Sequence, residues 1–302
     1  MTTGLTTRVM LLVALMAGAT GCGSSGDAAR PGDAAYARGD WAEALVHYRR
    51  LAAGQPEAGV LVRLGAAALH AGELRQAADA YGRLAGEDPS RAHEAIEGLE
   101  SVARAAERAG NLDVLREVLA TLEGMAPERP IGRYALRLAR QSGLDPAEAA
   151  TLLPHALAVA GNSALVDSLL TGYGQALEAT AGCGRALLYY RAVLHRSHDD
   201  GTREPAGRGV ADCAYAMGLR ADSEGSTADA ALWFAESARV DSTTMTGRRA
   251  LLRYALARLT QGDTLAAALA FQAVVTAGAA DSAGQAAVNR LASLGFSSSG
   301  DQ

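Results

Sequence analysis

The chain has no lysine; its 28 basic residues are all arginine, set against 33 acidic residues, for a formal net charge of −5. Aromatic residues make up only 5% of it, and among 302 residues there are 8 prolines and 3 cysteines. Each scarcity excludes something. With arginines interspersed among acids and a negative total, there is no basic footprint for nucleic acid. Too few β-branched and aromatic residues are present for a sheet-rich domain. A disordered chain would be poorer in Leu, Val and Ala, and a collagen would show a strict glycine period that is missing here. The all-arginine basic set reads mainly as a matter of coding composition.

What is abundant is alanine, 68 residues, with 34 glycines. Alanine mixed with Leu, Arg and Glu favours helices packed closely together. The length allows two ordinary domains or one elongated array.

Residues 1–21 read as a targeting segment, with Arg8 ahead of the apolar run Val9 to Ala17 and small residues from Gly18 to Gly21. That run falls well short of the roughly 20 apolar residues a membrane-spanning helix needs. It ends on Cys22, and Ala19-Thr20-Gly21-Cys22 resembles the lipobox of bacterial lipoproteins. The resemblance implies acylation of the Cys22 thiol and cleavage before it, and a multi-chain anchor of that kind holds firmly to a membrane surface. Gly23 in place of Asp points, by the same resemblance, to the outer membrane. Residues 22–32 would then be a lipidated cysteine and flexible linker. Gly21 to Gly26 also matches G-x-G-x-x-G, but no strand precedes it, so it is not a dinucleotide site.

The remainder repeats. Gly39, Asp40, Trp41, Ala44, Tyr48 and Pro56 recur 33 residues later as Gly72, Glu73, Leu74, Ala77, Tyr81 and Pro89. Weaker copies carry Gly110 with Leu115 and Leu119, Gly174 with Ala186 and Tyr190, Gly218 with Ala230 and Phe234, and Gly262 with Ala267 and Phe271. The pattern resembles the tetratricopeptide repeat (TPR). It implies an all-α, right-handed α-solenoid of about seven helix-turn-helix units over 33–281, then a capping helix and tail over 282–302. Segment 129–166 is degenerate in this register, because Asp145-Pro146 and Pro154 alter its second helix. Glycine ends each first helix in the left-handed conformation, and Asp40, Asn111 and Asp263 are placed as N-caps, with Glu43 completing a capping box on Asp40. Small residues stand where the helices cross, beside Tyr48 or Tyr81. Pro31-Gly32 is expected to break the first helix.

Candidate chemistry is sparse. Cys183 is expected to open a second helix and Cys213 the next first helix, from 211, which separates them too far to bridge, so both are expected to be free thiols. His195, His198, Asp199 and Asp200 form the one metal-like cluster and are read as part of a solvated loop over 195–208. No catalytic motif, metal site or cofactor site is found. The single stripe of interest is basic: Arg129, Arg133, Arg137 and Arg140 share one helix face. In the repeat family the first helices line the concave groove, which would present Arg133, Arg137 and Arg140 there, with Arg104 and Arg108 on the preceding first helix. Guanidinium forks bind carboxylates bidentately, so the ligand implied is an acidic peptide segment or chain terminus. The expected function is a non-catalytic protein–protein interaction scaffold or adaptor, anchored by Cys22 in the bacterial cell envelope at the outer membrane, facing the periplasm. Two alternatives stand beside it. One is an envelope enzyme or its accessory subunit (peptidase or cell-wall related), with a site built from 129–166 and 195–208. The other is a structural part of an assembly, secretion or pilus complex.

Overall fold

The computed structural model describes residues 25–54, 56–141 and 143–296. Among them there are only helices and turns, and the chain divides into two compact units at Ala105–Ala106. The first unit holds α1 (Ser25–Ala37), α2 (Trp41–Leu51), α3 (Ala58–Ala71), α4 (Leu74–Glu87), a 3-10 turn at Pro89–Arg91 and most of α5 (Ala92–Ala109). The second holds the end of α5, then α6 (Leu112–Met125), α7 (Gly132–Gln141), α8 (Pro146–Ala158), α9 (Ser163–Ala181) and α10 (Cys183–Arg196). It continues with α11 (Asp200–Ser223), α12 (Thr227–Val240), α13 (Met245–Thr260), α14 (Thr264–Ala277) and α15 (Ser282–Ser293). Helices α1 to α14 form seven successive helix-turn-helix units, and α15 closes the last of them against α13 and α14. This is the all-α repeat architecture the sequence implies.

Close packing follows from one register. The eighth residue after the N-cap of each second helix is Tyr48, Tyr81, Leu119, Leu153, Tyr190, Phe234 or Phe271, and all seven are buried. These side chains act as wedges, and first helices leave glycine slots for Tyr48, Tyr81, Tyr190 and Phe234. A Cβ added at Gly65 would stand 2.7 Å from the Tyr81 ring, one at Gly174 2.6 Å from Tyr190, and one at Gly218 2.6 Å from Phe234. Gly98 meets Tyr81 and Gly209 meets Tyr190 in the same way from the following first helix. Glycine is required there for space, since interiors at crystal-like density do not absorb an extra methyl. Segment 129–166 obeys the same register through Leu153. Its Pro146 occupies the first turn of α8, where no N–H partner is lost, behind a capping box of Asp145 and Glu148.

The buried phenols have a measurable consequence. Burial pushes Tyr81 up to about 12. Burial first, then hydrogen bonds donated to Asp33 and Glu178, likewise raises Tyr48 and Tyr190. A phenol in the unfolded chain titrates near 10. These groups therefore contribute stability that is intact below about pH 10 and lost as pH rises from there through the folded values. Helical circular dichroism followed against pH should fall together with the appearance of the last phenolates. Complete phenolate formation near pH 10 with helices intact would contradict the wedge arrangement.

Four local expectations are corrected. Helix α1 runs through Pro31 from Ser25, so Pro31-Gly32 does not break it. One lost backbone hydrogen bond is outweighed by burial of Ala29 and Ala35 and by the seat of Gly32 against Tyr48, where a Cβ would stand 2.8 Å from the ring. Asp40 heads α2 without capping it by its side chain, because Arg38 Nε donates to Asp40 Oδ2 at 3.1 Å and Arg38 Nη2 to Glu43 Oε2 at 2.9 Å. Asn111 and Asp263 do cap, accepting from Val114 and Ala266.

The third correction moves the start of α11 back to Asp200, leaving only Ser197–Asp199 between it and α10. Asp199 caps it by accepting from Thr202 N at 2.8 Å, and Arg203 donates to the carbonyls of Leu194 and Ser197, which closes α10. Tertiary burial of Ala206 and Val210 and the Gly209 slot override the weak helix preference of a stretch rich in Gly with a Pro. The fourth follows directly: Cys183 and Cys213 are not free but joined in a disulfide, with Cα atoms 5.0 Å apart. Cys183 stands thirteen residues before the end of α10 at Arg196, and Cys213 thirteen after the start of α11 at Asp200. In an antiparallel hairpin with a short turn, equal distances from the turn bring the two level.

Candidate functional site

Of the basic stripe, Arg133, Arg137 and Arg140 sit on α7, whereas Arg129 falls in the turn between α6 and α7 and does not share that helix face. Ile131, Tyr134, Ala135 and Leu138 are buried, while Arg133, Arg137 and Arg140 are exposed. Arg133 is occupied: Nη2 lies 3.3 Å from Glu107 Oε2 and donates to Tyr134 Oη at 2.6 Å, with the guanidinium 4.4 Å from the Tyr134 ring centre. The Tyr134 hydrogen bond, then the Glu107 charge, raises its affinity for the proton. Arg104 belongs to the first unit and donates to Ser101 Oγ at 2.8 Å. Arg108 belongs to the second unit. Arg108, Arg137 and Arg140 have no acidic partner among the described residues. The stripe therefore reduces, on α7, to Arg137 and Arg140. Cys22 and residues 1–21 lie outside the described residues, as does the tail from 297.

Next to Arg140, Ala139 opens a cleft of about 440 Å³. It runs from α7 and α8 across Ser168, Thr171 and Gln175 of α9 to Thr202 and Pro205 of α11. The Thr171 hydroxyl donates to the Asp167 carbonyl and the Thr202 hydroxyl to the Asp199 carboxylate, so both are satisfied internally. Exposed Ser168 and Gln175 are left to face a ligand. Among the described residues, no histidine, cysteine or carboxylate lines this cleft. A second cleft of about 750 Å³, lined by several charged residues, lies among α11, α12 and the start of α13. Its charges are largely used within it: Glu204 pairs with Arg208, Asp212 accepts from Thr246 at 3.0 Å, and Arg203 holds the end of α10.

His195 and His198 are exposed, and Asp199 is engaged as a cap, so the histidine cluster does not converge. Among the described residues one group of metal-ligating type comes together, Glu178 with Cys183 and Cys213, and its two sulfurs are bonded to each other. Two further features had no distinct sequence signal. Tyr36, Trp41 and His70 form a ring cluster, with Trp41 stacked on His70 at 4.4 Å. Leucines stand exposed on the later second helices.

No family model matches the chain, and no curated protein matches it. Among solved structures it is similar to the C-terminal part of a TPR repeat-containing protein from Cytophaga hutchinsonii: 12% identical, covering 86% of this chain and 99% of that one, TM-score 0.36. It is also similar to PilW, a type IV pilus biogenesis factor, at 16% identity over 76% of this chain and 97% of that one, TM-score 0.31. A third likeness is to the TPR2AB domain of yeast Sti1 in its pHSP90 complex, at 16% identity over 89% and 96% of the two chains, TM-score 0.31.

Proposed function

We propose that the protein is a lipid-tethered, non-catalytic adaptor of the bacterial cell envelope, anchored through Cys22 on the periplasmic side of the outer membrane. The observation that carries the adaptor reading is the wedge register. It recurs in all seven second helices, so nearly the whole described chain is given to building a repeated binding surface. The Ala19–Cys22 pattern after a short apolar run supports the tether. The Cys183–Cys213 disulfide is in keeping with an oxidising compartment beyond the inner membrane. The ligand in this reading is an acidic segment or chain terminus, taken by Arg137 and Arg140 beside the neutral cleft.

The enzyme alternative draws its site from 129–166 and the start of α11, and that cleft supplies neither a general base nor a nucleophile pair. Cross-linking in cells followed by pull-down tests the adaptor reading. Arg137→Glu with Arg140→Glu should lose at least one partner that the wild type recovers, while circular dichroism stays unchanged. Unchanged recovery of every partner would remove the arginines from the account.

A further inference from the structure

The sixth residue after the N-cap of a second helix lies about 200° around the helix from the wedge. In α4, α6 and α8 that outward position is Asp79, Glu117 and Thr151. In the last three second helices it is Leu188, Leu232 and Leu269, which are 64%, 66% and 64% exposed. Leu265, one turn before Leu269 on the same side, is 68% exposed. Helix α14 carries no charged residue along its length.

The leucine faces are neighbours. Arg191, one turn beyond Leu188, forms a bidentate pair with Glu236, one turn beyond Leu232, at 2.7 Å to both carboxylate oxygens. Gln261, just before α14, donates to the Thr227 carbonyl at the start of α12. Isolated exposed leucines are ordinary, but a set repeated in register on adjacent helices marks an interaction surface.

We propose that this face pairs two copies of the chain about a two-fold axis that crosses α12 near Phe234. The area fits. Three helices side by side, each about 21 Å long and about 10 Å wide, give a face of roughly 600 Å², of the order of the ~800 Å² that each partner of a stable dimer covers. The charges fit as well. Residues equidistant from such an axis face each other in an antiparallel pair, which sets exposed Asp229 against exposed Arg239 of the other copy. The same axis lays α10 over α10 and α14 over α14 of the other copy, and of the α10 arginines Arg191 and Arg196 are already paired with Glu236 and Asp167. An anionic lipid surface would instead call for basic residues along the leucines of α14, and that helix carries none.

Sedimentation velocity of the full chain carrying Cys22→Ser, and so without acyl chains, tests the pairing. The expected result is a dimer for this reference chain and a monomer for Leu232→Asp with Leu269→Asp, at unchanged helix content. Self-association should weaken at least about a hundredfold, since each carboxylate would be buried unpaired. Aspartate is the native residue at this register in α4, so the outward site tolerates it. A second series touches no packing: Asp229→Arg alone should weaken the dimer, and Asp229→Arg with Arg239→Asp should restore it. A reference chain that stays monomeric, whether or not another protein binds the leucines, overturns the proposal. A dimer indifferent to the leucine changes, or one not restored by the charge exchange, overturns it equally.

Discussion

Replacing Tyr190 with alanine should lower the unfolding free energy by about 3–5 kcal/mol, the range for emptying a buried aromatic site. Tyr190 fills the space between Gly174 and Gly209, and neither slot can close by a side chain moving in, because neither has one. Its hydroxyl donates to Glu178 Oε2 at 2.9 Å. Tyr190→Phe keeps the ring and loses that bond alone, so its cost should be about 1 kcal/mol. Denaturant unfolding of the two variants separates the contributions. A Tyr190→Ala loss no larger than that of Tyr190→Phe would mean that the ring does not hold the crossing together.

The second large effect belongs to the disulfide. The half-cystines are 30 residues apart, and closing a loop of that size in the unfolded chain is worth ~3–4 kcal/mol in the chain-entropy account. Reduction of the wild type should therefore lower its stability by about that amount. Cys183→Ser with Cys213→Ser should match the reduced wild type and be insensitive to reductant. Thiol alkylation before and after reduction, read by mass, gives an independent check. Two alkylatable thiols at these positions in the unreduced protein would restore the free-cysteine reading.

Where the sequence was readable and where it was not has a physical pattern. Tyr48 and Tyr81 are visible because an aromatic wedge needs a small partner at a fixed spacing, and Gly72 because the turn needs a positive φ, observed at 80°. Leu153 occupies the same slot without being distinctive, since leucine suits any buried site, and Pro146 and Pro154 make 129–166 read as degenerate although α8 runs through Pro154. The start of α11 was missed because Gly201, Pro205, Gly207 and Gly209 read locally as loop. Their helical state is imposed by burial against Tyr190 and Val240, which no local pattern encodes. That one misplaced boundary also hid the disulfide. The arginine stripe is visible as a face, but only the folded chain removes Arg129 from it and distinguishes Arg133, held by Glu107 and Tyr134, from Arg137 and Arg140.

The account rests most on the claim that this repeat surface works at a membrane. Metabolic labelling with a tagged fatty acid tests it directly, comparing the wild type with Cys22→Ser in the organism's own envelope. The account predicts label on the wild-type band in the membrane fraction, and no label with release from the membrane for the variant. Equal labelling of both, or an unlabelled wild type, would contradict it.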